Sequence, residues 1–193
     1  MAAPICPPLE VPVLDTGRLL LRGYRLSDLE GYLAMWQQPA FYRYLSPRPM
    51  AEEEVWPMML RSTGHWALQG FGFWAVEEKA TGRFIGAIGF ADARRDITPS
   101  IKGTPEMGWV LAADTHGQGY ASEAVAAALA WGDAHFNGAR TVCIMDPDNH
   151  ASRRLAEKFG YQEFARATYK GEPTLMMERQ PLVGNVPTAP VQR

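Results

Sequence analysis

The segment from Glu106 to Phe136 constrains this chain more than any other. An apolar strand, Glu106-Met107-Gly108-Trp109-Val110-Leu111, leads through the loop Asp114-Thr115-His116-Gly117-Gln118-Gly119-Tyr120 straight into a helical pattern. In that helix Ala121, Ala124, Val125, Ala128, Leu129, Gly132 and Phe136 recur at spacings of three and four, which gathers them on one face. Their small size predicts close packing on a sheet. A helix start presents unsatisfied N–H groups and the positive end of a dipole, and glycines ahead of it let a phosphate approach without meeting a Cβ. The dipole alone gives one phosphate about 0.3 to 2 kcal/mol, so tight binding needs further contacts. The segment reads either as an anion cradle or as an ordinary strand-to-helix connection whose glycines only turn the chain. A dinucleotide fingerprint is not met, because Gly117-Gln118-Gly119-Tyr120-Ala121-Ser122 ends in Ser and follows several strands. A P-loop would need Gly-Lys-Ser/Thr, which is missing.

Around this segment the pattern is mixed. Arg18-Leu19-Leu20-Leu21-Arg22 reads as a strand, and Ser27-Asp28-Leu29-Glu30 is a capping-box signature that opens a helix to about residue 37. A second helix is expected over residues 51–69, its start marked by three glutamates at 52 to 54. Residues 71–76 and 83–90 are apolar runs flanking the hairpin turn Lys79-Ala80-Thr81-Gly82, and a polar loop covers residues 92–104. Thr141-Val142-Cys143-Ile144-Met145 is a further strand. Asp146-Pro147-Asp148-Asn149 then caps a short helix with Ala151, Leu155 and Phe159 four apart, ended by Gly160. Residues 161–168 and 174–179 are the last expected strands. Prolines mark residues 1–15 as an irregular arm and residues 181–193 as a tail, leaving one domain over 16–180.

Composition excludes several classes. The longest apolar run, Ala124 to Trp131, is far short of the roughly 20 residues of a membrane-spanning helix. The N-terminus lacks the basic start and apolar core of a signal peptide, so a cytoplasmic location is expected. Cys6 and Cys143 make no disulfide framework, and they and the scattered histidines His65, His135 and His150 have no metal-ligand spacing, so no metal is expected. With 19 Lys+Arg against 21 Asp+Glu and no basic cluster, nucleic acid is an unsuitable partner.

Three motifs in order carry a resemblance. His116-Gly117-Gln118-Gly119-Tyr120-Ala121-Ser122-Glu123-Ala124 is preceded by the strand from Glu106 and followed by Asp146-Pro147-Asp148-Asn149-His150-Ala151-Ser152-Arg153-Arg154-Leu155-Ala156-Glu157-Lys158-Phe159-Gly160-Tyr161. Together they resemble the GNAT superfamily of acetyl-CoA-dependent N-acetyltransferases, and within it the branch of ribosomal-protein N-terminal (Rim-type) acetyltransferases. Thr16-Gly17-Arg18-Leu19-Leu20-Leu21-Arg22 is similar to that branch's opening strand. The resemblance implies a single α/β (α+β) domain: a mixed, largely antiparallel sheet with helices on both faces, and acetyl-CoA entering where two strands diverge. It implies that backbone N–H groups of Gln118, Gly119, Tyr120, Ala121 and Ser122, in the loop begun by His116 and Gly117, cradle the CoA pyrophosphate. It further implies that the strand through Trp109, Val110 and Leu111 pairs with pantetheine. The family usually has Arg or Gln where this chain has His116, which leaves the role of His116 open.

The reaction so implied moves an acetyl group to a primary amine, with a protein N-terminal α-amine favoured. A small amine such as an antibiotic or polyamine is the alternative acceptor, and a non-catalytic acyl-CoA-binding module is the alternative class; no nucleic acid or membrane takes part, and the chain is a monomer or homodimer. Asn149 either contacts the cofactor arm or acceptor or simply caps its helix. Ser152 stands where the Rim-like branch has a serine, one turn before Ala156, the position of a tyrosine acid in many relatives. A thiol with a pKa near ~8.5 leaves with little proton help, so Ser152 orients the sulfur or bonds its own cap. A lysine-like amine (pKa ~10.4) needs a base far more than an α-amine (pKa ~7.7 to 8.0). Glu106 alternates with Gly108 and Val110 and is the candidate base, with a solvated strand-end glutamate as the plain alternative. A strand N–H near Val110 is the candidate oxyanion donor. Arg153, Arg154 and Lys158 either meet the CoA 3′-phosphate or form a solvated face. Cys143 sits in an apolar strand with no base nearby in sequence, which favours direct attack over an acyl-enzyme. Of the aromatic residues between Trp36 and Trp74, most are expected in the core and some along the acceptor pocket.

Overall fold

The computed structural model describes residues 10–180. Its strands are β1 (Leu14–Asp15), β2 (Leu19–Arg22), β3 (Phe73–Glu78), β4 (Arg83–Ala91), β5 (Glu106–Leu111), β6 (Thr141–Met145), β7 (Gln162–Tyr169) and β8 (Glu172–Arg179). Its helices are α1 (Asp28–Trp36), α2 (Pro39–Tyr42), α3 (Glu52–Gln69), α4 (Tyr120–His135) and α5 (His150–Lys158), with a 3-10 turn at Ala113–Thr115. One eight-stranded sheet runs in the order β1-β2-β3-β4-β5-β6-β8-β7. All neighbours are antiparallel except β5 and β6. No described helix is long and apolar enough to cross a membrane.

β4 is buried along nearly its whole length because both faces are covered. On one face α4 and α5 pack through Ala124, Val125, Ala128, Leu129 and Ala156 onto Ile88, Phe90, Met107 and Leu111. Gly132 meets the Phe90 ring so closely that a Cβ would lie 2.8 Å from it, which is why this helix face uses small residues. On the other face α1, α2 and α3 enclose Tyr32, Met35, Trp36, Phe41, Val55 and Met59 against Ala75, Phe84 and Val110. A third cluster forms where Ile97 and Ile101, in the 92–104 loop, cover Val142 and Met176.

The sequence pattern and the structure differ at three places. Leu14–Asp15, inside the expected irregular arm, pairs with Leu20 and Leu21, and the Pro12 carbonyl accepts the Trp74 indole N–H at 2.7 Å. Residues 1–9 and 181–193, the rest of the arm and the tail, lie outside the described residues. The helix α2, only four residues long and opened by Pro39, gives no periodic signal and was not expected. The capping box at Ser27 does not form: its side chain makes no cap bond. Asp28 is the residue that matters there. Its carboxylate takes both Nη1 and Nη2 of Arg22 at 2.8 Å and the backbone N–H of Arg25 at 2.7 Å, while Arg22 Nε donates to Glu77 at 2.7 Å. Arg22 is 5% and Asp28 3% exposed, so strand β2 and helix α1 are joined by a buried ion pair.

Removing Asp28 takes two charge-assisted bonds from Arg22 and leaves it buried against Glu77. Asp28→Ala should lower unfolding free energy by about 1.5 to 3 kcal/mol in urea titration; a loss under about 1 kcal/mol would show that the pair is well solvated. Alkali supplies a second test. Burial pushes the Tyr32 phenol up to about 12 and the Tyr24 phenol well above 10. The unfolded chain therefore loses these protons first, and stability that is full below pH ~10 falls between there and about 12. Denaturation midpoints should drop over that window and drop less in Tyr32→Phe; an identical slope in the variant would remove Tyr32 from the account.

Candidate active site

The site begins where two parallel strands part. β5 and β6 share a single register pair, Glu106 with Val142, and the Val142 N–H donates to the Pro105 carbonyl at 3.0 Å. Beyond it β5 has β4 on one side only. The phase of that ladder decides which groups remain free. Ala112 N–H donates to the Ile85 carbonyl at 2.8 Å, and the register places Val110 opposite Ala87. Antiparallel alternation then turns the amides and carbonyls of Glu106, Gly108 and Val110 toward β4, and those of Met107, Trp109 and Leu111 toward the diverging side. The N–H of Val110 itself is thus committed to the sheet, and the donors facing the gap are its neighbours Trp109 and Leu111. The Trp109 side chain packs with the α4 face and that of Val110 with the α1–α3 face, while Leu111 is buried. The Phe73 ring lies where a Cβ on Gly108 would be, 2.9 Å away, and walls β5 on its other face.

The loop after β5 is an array of free donors. The amides of Thr115 and His116 close the 3-10 turn, and that of Glu123 bonds back to the Gly119 carbonyl. Between them the N–H groups of Gly117, Gln118, Gly119, Tyr120, Ala121 and Ser122 have no acceptor among the described residues. Gly117 and Gly119 have φ of 75° and 82°, and an added Cβ would meet open space at Gly117 and only Arg18 Nη2, 3.4 Å away, at Gly119. Glycine is needed there for conformation, not for room. The Gln118 side chain donates to the Asp114 carbonyl at 2.8 Å, and Asp114 pairs with Arg83 at 2.6 Å. His116 Nε2 lies 3.2 Å from the Leu111 carbonyl. A carbonyl only accepts, so Nε2 carries the proton and His116 covers one of the main-chain groups that face the gap.

At the tip of β6, α5 supplies the remaining expected residues. Asn149 Oδ1 accepts the Ser152 N–H at 3.1 Å, so Asn149 is a helix cap. Ser152 is half-buried, its Oγ has no partner among the described residues, and it lies one turn from buried Ala156 on the sheet-facing side of α5. Lys158 Nζ approaches Ser122 Oγ at 3.1 Å, which ties α5 to the glycine loop. The structure separates the three basic residues: Lys158 reaches the loop, Arg154 is exposed, and Arg153 is engaged by Glu157 at 2.8 Å and Glu163 at 3.6 Å.

Glu106 is not a free strand-end glutamate. Its side chain is 11% exposed, and its two oxygens accept Arg95 Nε at 2.6 Å and Nη2 at 2.7 Å. Burial opposes the charge on Arg95, but Glu106 and Tyr169 outweigh it and raise the guanidinium well above its usual value. Cys143 is buried, and desolvation pushes its thiol well above the normal range, so it is no nucleophile. Of the aromatic residues, Trp66 and Trp74 join Trp131 in an edge-to-face cluster on the α4 side, away from Val110. Trp36 and Phe41 lie on the α1–α3 side, and the Trp36 indole N–H is buried without a partner. Among the described residues no group of three His, Cys, Asp or Glu is placed to hold a metal ion.

Two sets of residues escaped the sequence reading. Arg95 stands in a polar loop where an arginine is unremarkable, eleven positions from Glu106. Thr16, Arg18 and Glu123 converge on the glycine loop across more than a hundred residues. The only sequence signal for them was an acid in the first turn of the helix.

Comparison with known proteins agrees with this geometry. Residues 18–162 match the family described as the acetyltransferase (GNAT) domain. An uncharacterized N-acetyltransferase of Bacillus subtilis, YoaA, is 27% identical over 153 residues, 79% of this chain and 84% of its own. A Bordetella pertussis structure assigned to the GnaT acetyltransferase family is 27% identical, covers 88% of this chain and 99% of its own, and superposes with a TM-score of 0.76. RimL, a ribosomal L7/L12 α-N-protein acetyltransferase solved with coenzyme A, shares the fold with a TM-score of 0.71 at 16% identity, over 88% of this chain and 98% of its own.

The assignment of Asn149 as a cap is open to direct test. Asn149→Ala should cost about 1 kcal/mol of stability in urea titration. Unchanged stability would show that the bond to the Ser152 N–H does not hold the helix start.

Proposed function

The chain belongs to the GNAT acetyltransferase family, and on that premise we propose that it moves an acetyl group from acetyl-CoA to a primary amine, a protein N-terminal α-amine before others, by direct attack on the thioester. The observation that carries this reading is the pairing of six unpartnered amides, Gly117 to Ser122, with a strand edge that β6 leaves free. These residues fit the donor. The amides of Gln118 to Ser122 would hold its pyrophosphate, with Gly117 and His116 shaping the loop, and the edge groups of Trp109 and the N–H of Leu111 would pair with its pantetheine arm. Lys158 and Arg154 remain available to its 3′-phosphate. When bound, acetyl-CoA supplies an activated thioester.

The protein's own groups then do three things. The N–H of Trp109 or Leu111 donates to the oxygen on which negative charge develops. Asn149, by capping α5, fixes where Ser152 stands, and the Ser152 hydroxyl orients the departing sulfur. Glu106 accepts the amine proton, directly or through water. A bidentate guanidinium takes two of the carboxylate's roughly four acceptor sites and leaves the others open. With part of the Glu106 acceptor capacity spent on Arg95, the site suits an α-amine, about a tenth of which is neutral at pH 7 and which needs a base far less than a lysine-like amine. This selects the N-terminal acceptor over a polyamine or another strongly basic small molecule, and the fold shared with RimL supports the same choice. We place the reaction in the cytoplasm, in a monomer or homodimer.

Acetyl-CoA should raise the melting temperature progressively with ligand excess, and thiol release should be fastest with N-terminal peptides in a panel that includes lysine side chains and polyamines. No thermal shift at millimolar acetyl-CoA would reject the donor. Binding without thiol release from any amine would make the chain a non-catalytic acyl-CoA-binding module. Fastest release with polyamines would overturn the acceptor class.

A further inference from the structure

We propose that Arg18 is a positioning residue for the acyl donor's pyrophosphate, acting through the glycine loop and not on the reacting atoms; the inference rests on acetyl-CoA being that donor. Arg18 precedes β2, far from the loop in sequence, yet its side chain is built into the loop. Nε donates to Glu123 Oε2 at 2.7 Å, Nη1 donates to the Gln118 carbonyl at 2.9 Å, and the guanidinium carbon lies 4.3 Å from the centre of the Tyr120 ring. The Arg18 backbone N–H and the Thr16 hydroxyl both donate to Glu123 Oε1 at 2.7 Å. Tyr120 is fixed from its far end by a 2.6 Å bond from its hydroxyl to Glu78. Burial would raise the Glu123 carboxyl, but the Thr16 and Arg18 hydrogen bonds prevail and hold it below the usual carboxylate range.

The contact with the Gln118 carbonyl is the informative one. An amide array binds an anion only if its carbonyls point away. The peptide between Gln118 and Gly119 is free to rotate on its glycine side, because glycine populates both signs of φ. A rotated peptide would aim the Gln118 oxygen at the phosphate in place of the Gly119 N–H, exchanging attraction for repulsion. Arg18 holds that oxygen with a charge-assisted bond before any ligand arrives, so the cost of ordering is met in advance. As a purely structural pair Arg18–Glu123 would matter little, since the Arg18 side chain is 47% exposed and exposed pairs contribute about 0 to 1 kcal/mol.

The two roles separate by the donor used. S-acetyl-pantetheine carries the same thioester and arm but no phosphate. In Arg18→Gln the KM for acetyl-CoA should rise about tenfold or more, while the KM for S-acetyl-pantetheine moves by less than about twofold, a difference below what one hydrogen bond is worth. Arg18→Lys can pair with Glu123 but has no second nitrogen for the Gln118 carbonyl, and should fall between; should Arg18→Gln fail to fold, Arg18→Lys is judged by the same ratio. Arg48→Gln, which breaks an exposed pair with Glu54 away from the loop, controls for general loss of charge and should leave the ratio unchanged. Equal effects on both donors, or none, would overturn the role of Arg18 alone. A wild-type protein that uses S-acetyl-pantetheine as well as acetyl-CoA, or neither, would bring down the pyrophosphate reading on which this rests.

Discussion

Six consecutive main-chain N–H groups, with no acceptor among the described residues, set the terms for everything built around them. Such donors tolerate exposure to water but not burial without a partner, so the loop from Gly117 to Ser122 must stay where water or a ligand can reach it. Keeping it in place falls to residues from elsewhere. β5 delivers the chain to the loop, α4 anchors it through small residues on the sheet, and Arg18, Glu123, Tyr120 and Lys158 tie it from three directions. The divergence of β5 from β6 completes the design, because it leaves a strand edge leading directly to the donors.

The electrostatics of this arrangement do not appear in the charge count. A chain with net charge −2 would not be chosen as a binder of a polyanion. Peptide dipoles aligned at the start of α4 supply positive potential that no Lys or Arg contributes, and they supply it rigidly. Nearby ionic side chains are largely spent on one another: Arg18 on Glu123, Arg83 on Asp114, Arg95 on Glu106. Their work is placement. At the start of β5 the same economy holds both Glu106 oxygens against Arg95.

Much of this was legible in the sequence because it rests on local periodicity. The strand, glycine loop and helix from Glu106 to His135 appear with nearly the boundaries read from spacing, and so do the hairpin at Gly82 and the helix ended by Gly160. What was not legible depends on distant partners or on phase. The signature at Ser27 marks the start of α1 correctly but not its chemistry: Ser27 makes no side-chain cap bond, and Asp28 is claimed by Arg22 across the β2–α1 corner. Alternation alone cannot say whether Val110 or its neighbours offer free amides; that requires the register of β4. Arg95 and Arg18 are ordinary arginines until the fold brings Glu106 and Glu123 to them.

The central claim concerns particular amides, and amide resonances report on it residue by residue. In a backbone-assigned ¹H–¹⁵N NMR titration with acetyl-CoA, the amides of Gln118 to Ser122 and those of Trp109 and Leu111 should shift most and gain the greatest protection from hydrogen exchange. The amide of Val110, already committed to β4, should change far less. Saturable binding that perturbs residues elsewhere while leaving Gln118 to Ser122 unchanged would contradict the account at its foundation.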